Sequence, residues 1–142
     1  MSNPNIKTVI FNGETVRTAS MPGFKRYLIL ELGISLYSET GKICPDYHGN
    51  NGYRKIKIYP DGRKERKAFW LNRLVWQAFY GEIPEGMQID HIDGDRLNNA
   101  LVNLRPVTPK QNCLFKKQRD SNYLFNEKNP QRKKKKAAVK NA

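Results

Sequence analysis

The fold is decided by residues 72–112, which read NRLVWQAFYGEIPEGMQIDHIDGDRLNNALVNLRPVTPKQN. Around the start of this stretch, apolar residues recur at the i, i+3, i+4, i+7 spacing of an amphipathic helix, and Gly81 follows as a helix stop. The apolar stripe consists of Leu71, Leu74, Val75, Ala78 and Phe79. Residues 87–92 and 104–107 then predict two short strands, joined by a long polar connection.

A second helix is predicted to begin after Thr108. Thr108, Pro109 and Gln111 occupy the N-cap, N1 and N3 positions of a capping box, so we expect a helix from there to about Lys117. The order strand, strand, helix predicts a small α+β unit, and polar residues of chemical interest lie on all three pieces.

Four polar residues on these elements form a candidate catalytic set: Asp90, His91, Asn103 and Asn112. A phosphodiesterase that uses one divalent metal needs a general base, oxygen ligands for the ion, and a group that fixes the tautomer of the base. The set contains each of these residue types, with His91 as the base. Asp90 and His91 are chain neighbours and point to opposite faces of a regular strand, so a strand end or a bulge must bring both to one site. The alternative interpretation of residues 90–95, DHIDGD, is a simple polar turn.

The positive charge of the chain lies mainly outside this centre. The net charge is +13, from 26 Lys and Arg and 13 Asp and Glu. Residues 71–111 carry four cations and five anions, whereas residues 112–142 carry ten cations and two anions. Basic flanks are typical of proteins that bind a polyanion, and ordinary solubilising charge is the alternative. The run 132–136 is five consecutive cations, which indicates a phosphate-binding disordered tail or a nuclear localisation signal.

Short strands are predicted across residues 27–70, and the clearest hairpin spans residues 53–67. Its turn is Pro60-Asp61-Gly62, and the hairpin carries seven cations and two anions. A two-stranded ribbon has the width of a DNA major groove, and a solvated sheet face is the alternative. Residues 1–26 show no sustained period, so we expect an irregular or short-strand arm.

Composition excludes several classes of protein. Two cysteines, Cys44 and Cys113, are too few for a disulfide scaffold and lack the CxxC pairs of a zinc ribbon. No uncharged apolar stretch is long enough to span a bilayer, and the first residues lack the pattern of a signal peptide. We therefore expect an intracellular, reduced protein with no membrane partner.

The stretch 72–112 resembles the HNH endonucleases of the phage and intron-homing type, which have the ββα-metal fold. The similarity is carried by the adjacent pair Asp90 and His91, by Asn103 twelve residues after His91, and by Asn112 nine residues further on. The preceding strands resemble, more weakly, the DNA-binding segment often attached to these nucleases. The implied architecture is α+β and has four parts. They are an N-terminal arm at residues 1–26, an antiparallel-strand DNA-binding segment at residues 27–70, an HNH nuclease core at residues 71–118 and a basic C-terminal extension at residues 119–142.

The resemblance implies a role for each residue of the catalytic set. His91 would be the general base, Asp90 and Asn112 the metal ligands, and Asn103 the group that orients the His91 ring through its side-chain carbonyl. Asn112 stands where many relatives have a third histidine, so the chain resembles the HNN variety. Its oxygen ligands favour Mg²⁺ or Mn²⁺ over Zn²⁺. The implied reaction is metal-dependent hydrolysis of phosphodiester bonds, as a nick or a double-strand break, to 5′-phosphate and 3′-hydroxyl ends.

Double-stranded DNA is the partner that the resemblance implies. The candidate DNA-binding residues are Tyr53, Arg54, Lys55, Lys57, Arg63, Lys64, Arg66, Lys67, Lys116, Lys117 and Arg119. One departure from the family pattern is Asn72, at a position where relatives often have histidine. The alternative function is a non-catalytic DNA- or RNA-binding protein that uses the basic ribbon and tail. For a phage-encoded protein, the expected location is the cytoplasm of the bacterial host.

Overall fold

The computed structural model describes residues 5–125, and their side chains as far as residue 120. The first five strands form one antiparallel sheet in chain order: β1 (Lys7–Phe11), β2 (Glu14–Ala19), β3 (Tyr27–Leu30), β4 (Ser35–Tyr37) and β5 (Ile43–Cys44). The next three form a second antiparallel sheet: β6 (Asp46–His48), β7 (Arg54–Ile58) and β8 (Lys67–Trp70).

The C-terminal part of the described chain contains both helices and a two-stranded sheet. Its elements are α1 (Leu71–Tyr80), β9 (Gln88–His91), a 3₁₀ turn (Leu101–Asn103), β10 (Leu104–Val107) and α2 (Pro109–Phe125). β9 and β10 pair in antiparallel register, with His91 opposite Leu104 and Asp90 opposite Arg105. The predicted α+β fold class, a ββα unit preceded by short antiparallel strands, is therefore confirmed.

Neither helix in the described part of the chain has the length and apolar character needed to cross a membrane. The basic run 132–136, with the rest of the extension beyond residue 125, lies outside the described residues.

Residues 7–19, for which we expected an irregular or short-strand arm, form a regular hairpin. Phe11 pairs with Glu14, and the two residues between them, Asn12 and Gly13, both have positive φ, at 51° and 81°. Asn-Gly is the preferred sequence for such a two-residue turn, because both residues tolerate this conformation. Since β2 also pairs with β3, the hairpin forms the edge of the five-stranded sheet.

Helix α1 lies at the centre of the molecule and contacts strands of all three sheets. The predicted apolar stripe is buried throughout, and Leu74, Val75 and Ala78 have no exposed surface. The helix ends where predicted, since the backbone N–H of Gly81 donates to the carbonyl of Gln77 and Gly81 has a φ of 90°. Burial of this stripe is the main apolar contribution that joins the sheets.

Helix α2 begins as predicted and continues further than predicted. The backbone N–H of Gln111 donates to the Thr108 hydroxyl at 3.1 Å, and that of Thr108 donates to Oε1 of Gln111 at 2.9 Å, so the capping box is confirmed. The expected end near Lys117 was wrong, because the helix continues to Phe125. No proline or glycine lies between these two residues to stop it.

The predicted hairpin in residues 53–67 is also confirmed. Ile56 and Ile58 of β7 are fully buried, whereas Lys57 is exposed on the opposite face. The backbone N–H of Arg63 donates to the carbonyl of Pro60 at 3.0 Å, which closes the predicted turn.

The turn between β3 and β4 is in close contact with the loop between β9 and β10. Gly33 has a φ of 91°, and a Cβ atom built on it would lie 2.5 Å from the backbone carbonyl carbon of Asn99. Nearby, the backbone N–H of Leu101 donates to the carbonyl of Glu31 at 2.8 Å. The five-stranded sheet thus holds the backbone of this loop, and only glycine permits the approach.

Gly33→Ala is expected to destabilise the fold more than Gly23→Ala. Both glycines have a φ between 80° and 95°, but a Cβ on Gly23 would meet nothing within 4 Å. Left-handed strain of about 1–2 kcal/mol is common to both variants. Displacing the Asn99 backbone adds about 1–3 kcal/mol for Gly33→Ala. Urea unfolding curves measure the difference, and equal midpoints for the two variants would show that the contact is not tight.

Candidate functional site

Three of the four residues of the predicted catalytic set line one cavity between the end of β9, helix α2 and Tyr53, and Asn103 does not. The cavity volume is about 390 Å³, and Asp90, His91 and Asn112 all lie on its wall. His91 is the last residue of β9, so the strand end brings both members of the Asp90-His91 pair to the cavity. Their exposed fractions are only 5% and 4%.

The His91 ring is fixed by Asn99. Its Nε2 lies 2.8 Å from Oδ1 of Asn99, a buried residue of the β9–β10 loop, while the Asn99 amide nitrogen donates to the carbonyl of Arg96 at 3.5 Å. Because an amide oxygen only accepts, this contact places the ring proton on Nε2 and leaves Nδ1 as the basic nitrogen. The Tyr53 ring packs against the imidazole with 5.8 Å between the centroids.

Asn103, which we expected to orient His91, stabilises the loop instead. Its Oδ1 accepts from the backbone N–H of Asp93 at 3.1 Å, and its Nδ2 donates to Oδ1 of Asp93 and to the Asn98 carbonyl, both at 2.9 Å. The sequence interpretation was wrong on this contact, because the spacing does not show which of the loop asparagines faces the ring. Asn98 also shapes the loop, because its Nδ2 donates to Oδ2 of Asp93 at 2.9 Å.

Asp93 is the centre of this loop and is ionised at neutral pH. Burial acts to raise the pKa of its carboxyl, but hydrogen bonds from Asn98, the Asp95 backbone and Asn103, with the attraction of His91, outweigh it and lower the pKa below its usual value. A carboxylate with a lowered pKa stabilises the folded loop above its ordinary pKa, and this contribution is lost as the pH falls through the lowered value.

Asp90 and Asn112 present oxygen atoms that suit a hard divalent cation. Oδ2 of Asp90 accepts from Arg105 at 3.0 Å and lies 3.7 Å from Arg119, and Nδ2 of Asn112 donates to Oε1 of Gln88 at 2.7 Å. The Oδ1 atoms of both residues accept no hydrogen bond from the described residues. No group of three or more His, Cys, Asp or Glu side chains in residues 5–120 is arranged to hold a metal. A cation at Asp90 and Asn112 would therefore take most of its ligands from water and substrate.

Asn72 and His48 do not line this cavity. Asn72 is buried, and its amide nitrogen donates to the carbonyl of Ile89 at 3.0 Å, so it anchors the strand just before Asp90. His48 is exposed on β6 and lines a separate cavity of about 310 Å³, away from His91.

The candidate DNA-binding residues fall into three groups. On β7, Lys55 and Lys57 lie over the rings of Trp70 and Tyr47, at 4.3 and 5.3 Å, whereas Arg54 is paired with Asp46 at 2.6 Å. Around the β7–β8 turn, the exposed members are Arg63, Lys64, Arg66 and Lys67. The third group lies at the cavity: Tyr53, Lys116 and Arg119 line its wall, and the exposed Lys117 is beside them on α2.

Arg96 is a charged residue of the cavity that sequence reasoning missed. Arg96 lies on the cavity wall with His91, and its guanidinium stacks 4.6 Å from the centroid of the Tyr53 ring. In the sequence it is a single arginine in a polar loop, and no local pattern distinguishes it from a solvated charge.

Comparison with known proteins gives the same assignment for this part of the chain. A family model described as HNH endonuclease matches residues 69–114. The chain is 37% identical over 86 residues to the SPbeta prophage-derived putative HNH homing endonuclease YosQ of Bacillus subtilis, covering 61% of this chain and 49% of that protein. It is 34% identical over 86 residues to the DNA endonuclease I-HmuI of Bacillus phage SP01, covering 61% and 48%.

A solved structure is similar over a longer region. It is titled DNA binding and cleavage by the HNH homing endonuclease I-HmuI, with a TM-score of 0.58 and 29% identity over 82% of this chain and 62% of that one. The chain spans about half the length of the curated relatives it matches. The resemblance found in the sequence is confirmed: residues 69–114 match the HNH endonuclease family.

Proposed function

We propose that this chain is a metal-dependent DNA endonuclease of the homing type that hydrolyses phosphodiester bonds in double-stranded DNA. The observation that carries the proposal is a buried histidine with Nε2 bound to Asn99, in one cavity with the oxygen donors of Asp90 and Asn112. A non-catalytic DNA-binding protein does not need this arrangement. The relative I-HmuI, whose structure is titled for DNA binding and cleavage, supports the same function.

His91 is the proposed general base. Nδ1 takes a proton from the water that attacks phosphorus, while Nε2–H remains hydrogen-bonded to Asn99. The amide oxygen of Asn99 stabilises the imidazolium that forms, because a hydrogen bond to a charged donor is stronger than one to a neutral donor. Asn99 is therefore a positioning residue for the base, and Asn103 supports the loop that carries it.

Asp90 and Asn112 are the proposed ligands of Mg²⁺ or Mn²⁺. When bound, the ion supplies charge stabilisation at the scissile phosphate and at the leaving oxygen. Arg105 and Arg119 hold the Asp90 carboxylate in place before the ion arrives. The proposed products carry 5′-phosphate and 3′-hydroxyl ends.

The sheet β6–β8 is the proposed DNA-binding ribbon. Its exposed cations give a predominantly positive surface, and the rings under Lys55 and Lys57 restrict these two side chains before DNA binds. Tyr53 connects the ribbon to the cavity, since its ring contacts both Trp70 of β8 and His91. The proposed place of action is the cytoplasm of a bacterial host.

His91→Ala is expected to reduce cleavage by about 10² to 10⁴ because it removes the general base, and to leave DNA affinity nearly unchanged. Plasmid DNA is incubated with wild type or variant and Mg²⁺, Mn²⁺ or EDTA, and nicked and linear forms are quantified, with binding measured by gel shift. His48→Ala, which changes the other histidine, is the matched control and should cleave normally. A His91→Ala protein that cuts at the wild-type rate contradicts the assignment, and a wild type that binds but never cuts favours the non-catalytic alternative.

Asn99→Ala is expected to lower the cleavage rate, whereas Asn103→Ala is expected to lower the stability of the fold. Loss of Asn99 should lower kcat about 10- to 100-fold with unchanged DNA affinity, as is typical when a partner that orients an active-site histidine is removed. Loss of Asn103 removes three hydrogen bonds from a buried amide and should lower stability by about 1–3 kcal/mol. Denaturant unfolding and single-turnover cleavage separate the two effects. The roles are reversed if Asn103→Ala remains fully stable and loses kcat while Asn99→Ala cleaves normally.

Asp90→Asn and Asn112→Ala are expected to weaken metal binding, and Asp90→Asn more strongly, because a carboxylate contributes a full charge and an amide only a dipole. Mn²⁺ titrations followed by electron paramagnetic resonance measure binding directly, and the metal dependence of cleavage gives the functional counterpart. Higher Mn²⁺ should partly restore Asn112→Ala. Unchanged titrations for both variants would place the ligands elsewhere.

A further inference from the structure

Arg96 is a cavity cation whose guanidinium is held by two contacts. Its Nη1 donates to the backbone carbonyl of Asn51, and its guanidinium stacks on Tyr53 at 4.6 Å from the ring centroid. Gly52 lies beneath it, at 3.7 Å from Nη1 to a Cβ built on the glycine. The β6–β7 connection therefore holds an arginine that belongs to the β9–β10 loop.

The charge of Arg96 is not neutralised by a carboxylate among residues 5–120. The two other arginines near the catalytic carboxylate, Arg105 and Arg119, both have Asp90 as an ionic partner, whereas Arg96 has none. Arg96 also uses one N–H on Asn51, out of the five that a guanidinium offers. The remaining donors and the full positive charge are available to an anion in the cavity.

Arg96 and His91 are fixed by the same aromatic ring. Tyr53 contacts the imidazole at 5.8 Å and the guanidinium at 4.6 Å, and all three residues line the same cavity. A phosphate attacked by water that His91 activates must lie in this cavity. A planar guanidinium can bind two phosphate oxygens at once. A lysine lacks this planar fork, and an arginine that is paired with a carboxylate already uses donors on that partner.

We propose that Arg96 binds the non-bridging oxygens of the scissile phosphate, and that Tyr53 and the Asn51 carbonyl position it for this contact. This inference rests on the proposed nuclease function. It assigns to Tyr53 a role beyond general DNA contact, since the ring sets the distance between the base and the phosphate-binding guanidinium. Charge that develops on the phosphate during attack is then met by a donor already in place.

Cleavage kinetics give the first test, with the full chain and a duplex whose cut position has been mapped with wild type. Arg96→Ala is expected to lower the single-turnover rate by about 10²- to 10³-fold. Arg96→Lys keeps the charge but loses the planar fork, so its rate should fall between those of Arg96→Ala and wild type. A normal rate for Arg96→Ala overturns the proposal. Unfolding midpoints equal to wild type confirm that the variants are folded, and Arg96→Lys keeps the test valid if alanine is not tolerated.

Binding to modified DNA gives the second test, because it shows which phosphate Arg96 contacts. Affinities are measured in EDTA for a normal duplex and for one with a neutral methylphosphonate at the scissile position. Arg96→Ala should weaken binding to the normal duplex about tenfold and to the modified duplex no more than about twofold. Arg63→Ala, which changes an exposed arginine of the β7–β8 turn, is the matched control and should weaken binding to both duplexes equally.

Failure of the Arg96 contact and failure of the proposed nuclease function would give different results. If the wild type cleaves DNA but Arg96→Ala weakens binding to both duplexes equally, the Arg96 contact alone is overturned. The proposed nuclease function is then unaffected. The contact is also overturned if the effect of Arg96→Ala on binding disappears with a methylphosphonate one position away from the scissile phosphate, and not with one at the scissile position. A wild type that cuts no DNA with Mg²⁺ or Mn²⁺ overturns the proposed function and, with it, the assignment of a scissile phosphate.

Discussion

The hydrogen bond between Nε2 of His91 and Oδ1 of Asn99, 2.8 Å long, is the contact on which the proposed chemistry of the site depends. It sets the tautomer of the proposed base, and it exists only while the β9–β10 loop keeps its backbone in place. The loop is held from inside by Asp93 and Asn103, and from outside by the β3–β4 turn, through the contact at Gly33 and the hydrogen bond from Leu101 to Glu31. The N-terminal sheet is therefore part of the support of the site.

The second constraint is the burial of Asp90. An ionised carboxylate that is 5% exposed needs compensating charge, which Arg105 and Arg119 supply from β10 and α2. These ion pairs fix Asp90 between the strand pair and the helix, so the proposed metal ligand is held in place by contacts within the protein. A cation at the proposed site would share the carboxylate with the arginines, and repulsion among these positive charges would limit how tightly it binds.

Sequence alone predicted the framework of the ββα unit and the hairpin before it because each part has a local signal. The apolar stripe of α1, the capping box at Thr108 and the β7–β8 turn all depend on residues within a few positions of each other, and the structure confirms them. The Asn12-Gly13 hairpin also had a local signal in its Asn-Gly pair, although residues 1–26 were expected to form only an irregular or short-strand arm. The partner of His91 had none, since the loop contains Asn98, Asn99 and Asn103, and only its three-dimensional path selects which one reaches the ring. The stacking of Arg96 on Tyr53 likewise joins residues 43 positions apart.

The tautomer of His91 tests the account most directly, and it can be read without DNA, metal or turnover. In ¹⁵N-labelled protein at a pH where the ring is neutral, the account predicts a protonated Nε2 whose hydrogen exchanges slowly enough to be observed, and an unprotonated Nδ1. The exposed His48 provides a reference in the same spectrum, and the slowly exchanging proton should disappear in Asn99→Ala. A His91 ring protonated on Nδ1, or an Nε2 proton unaffected by Asn99→Ala, would contradict the central claim.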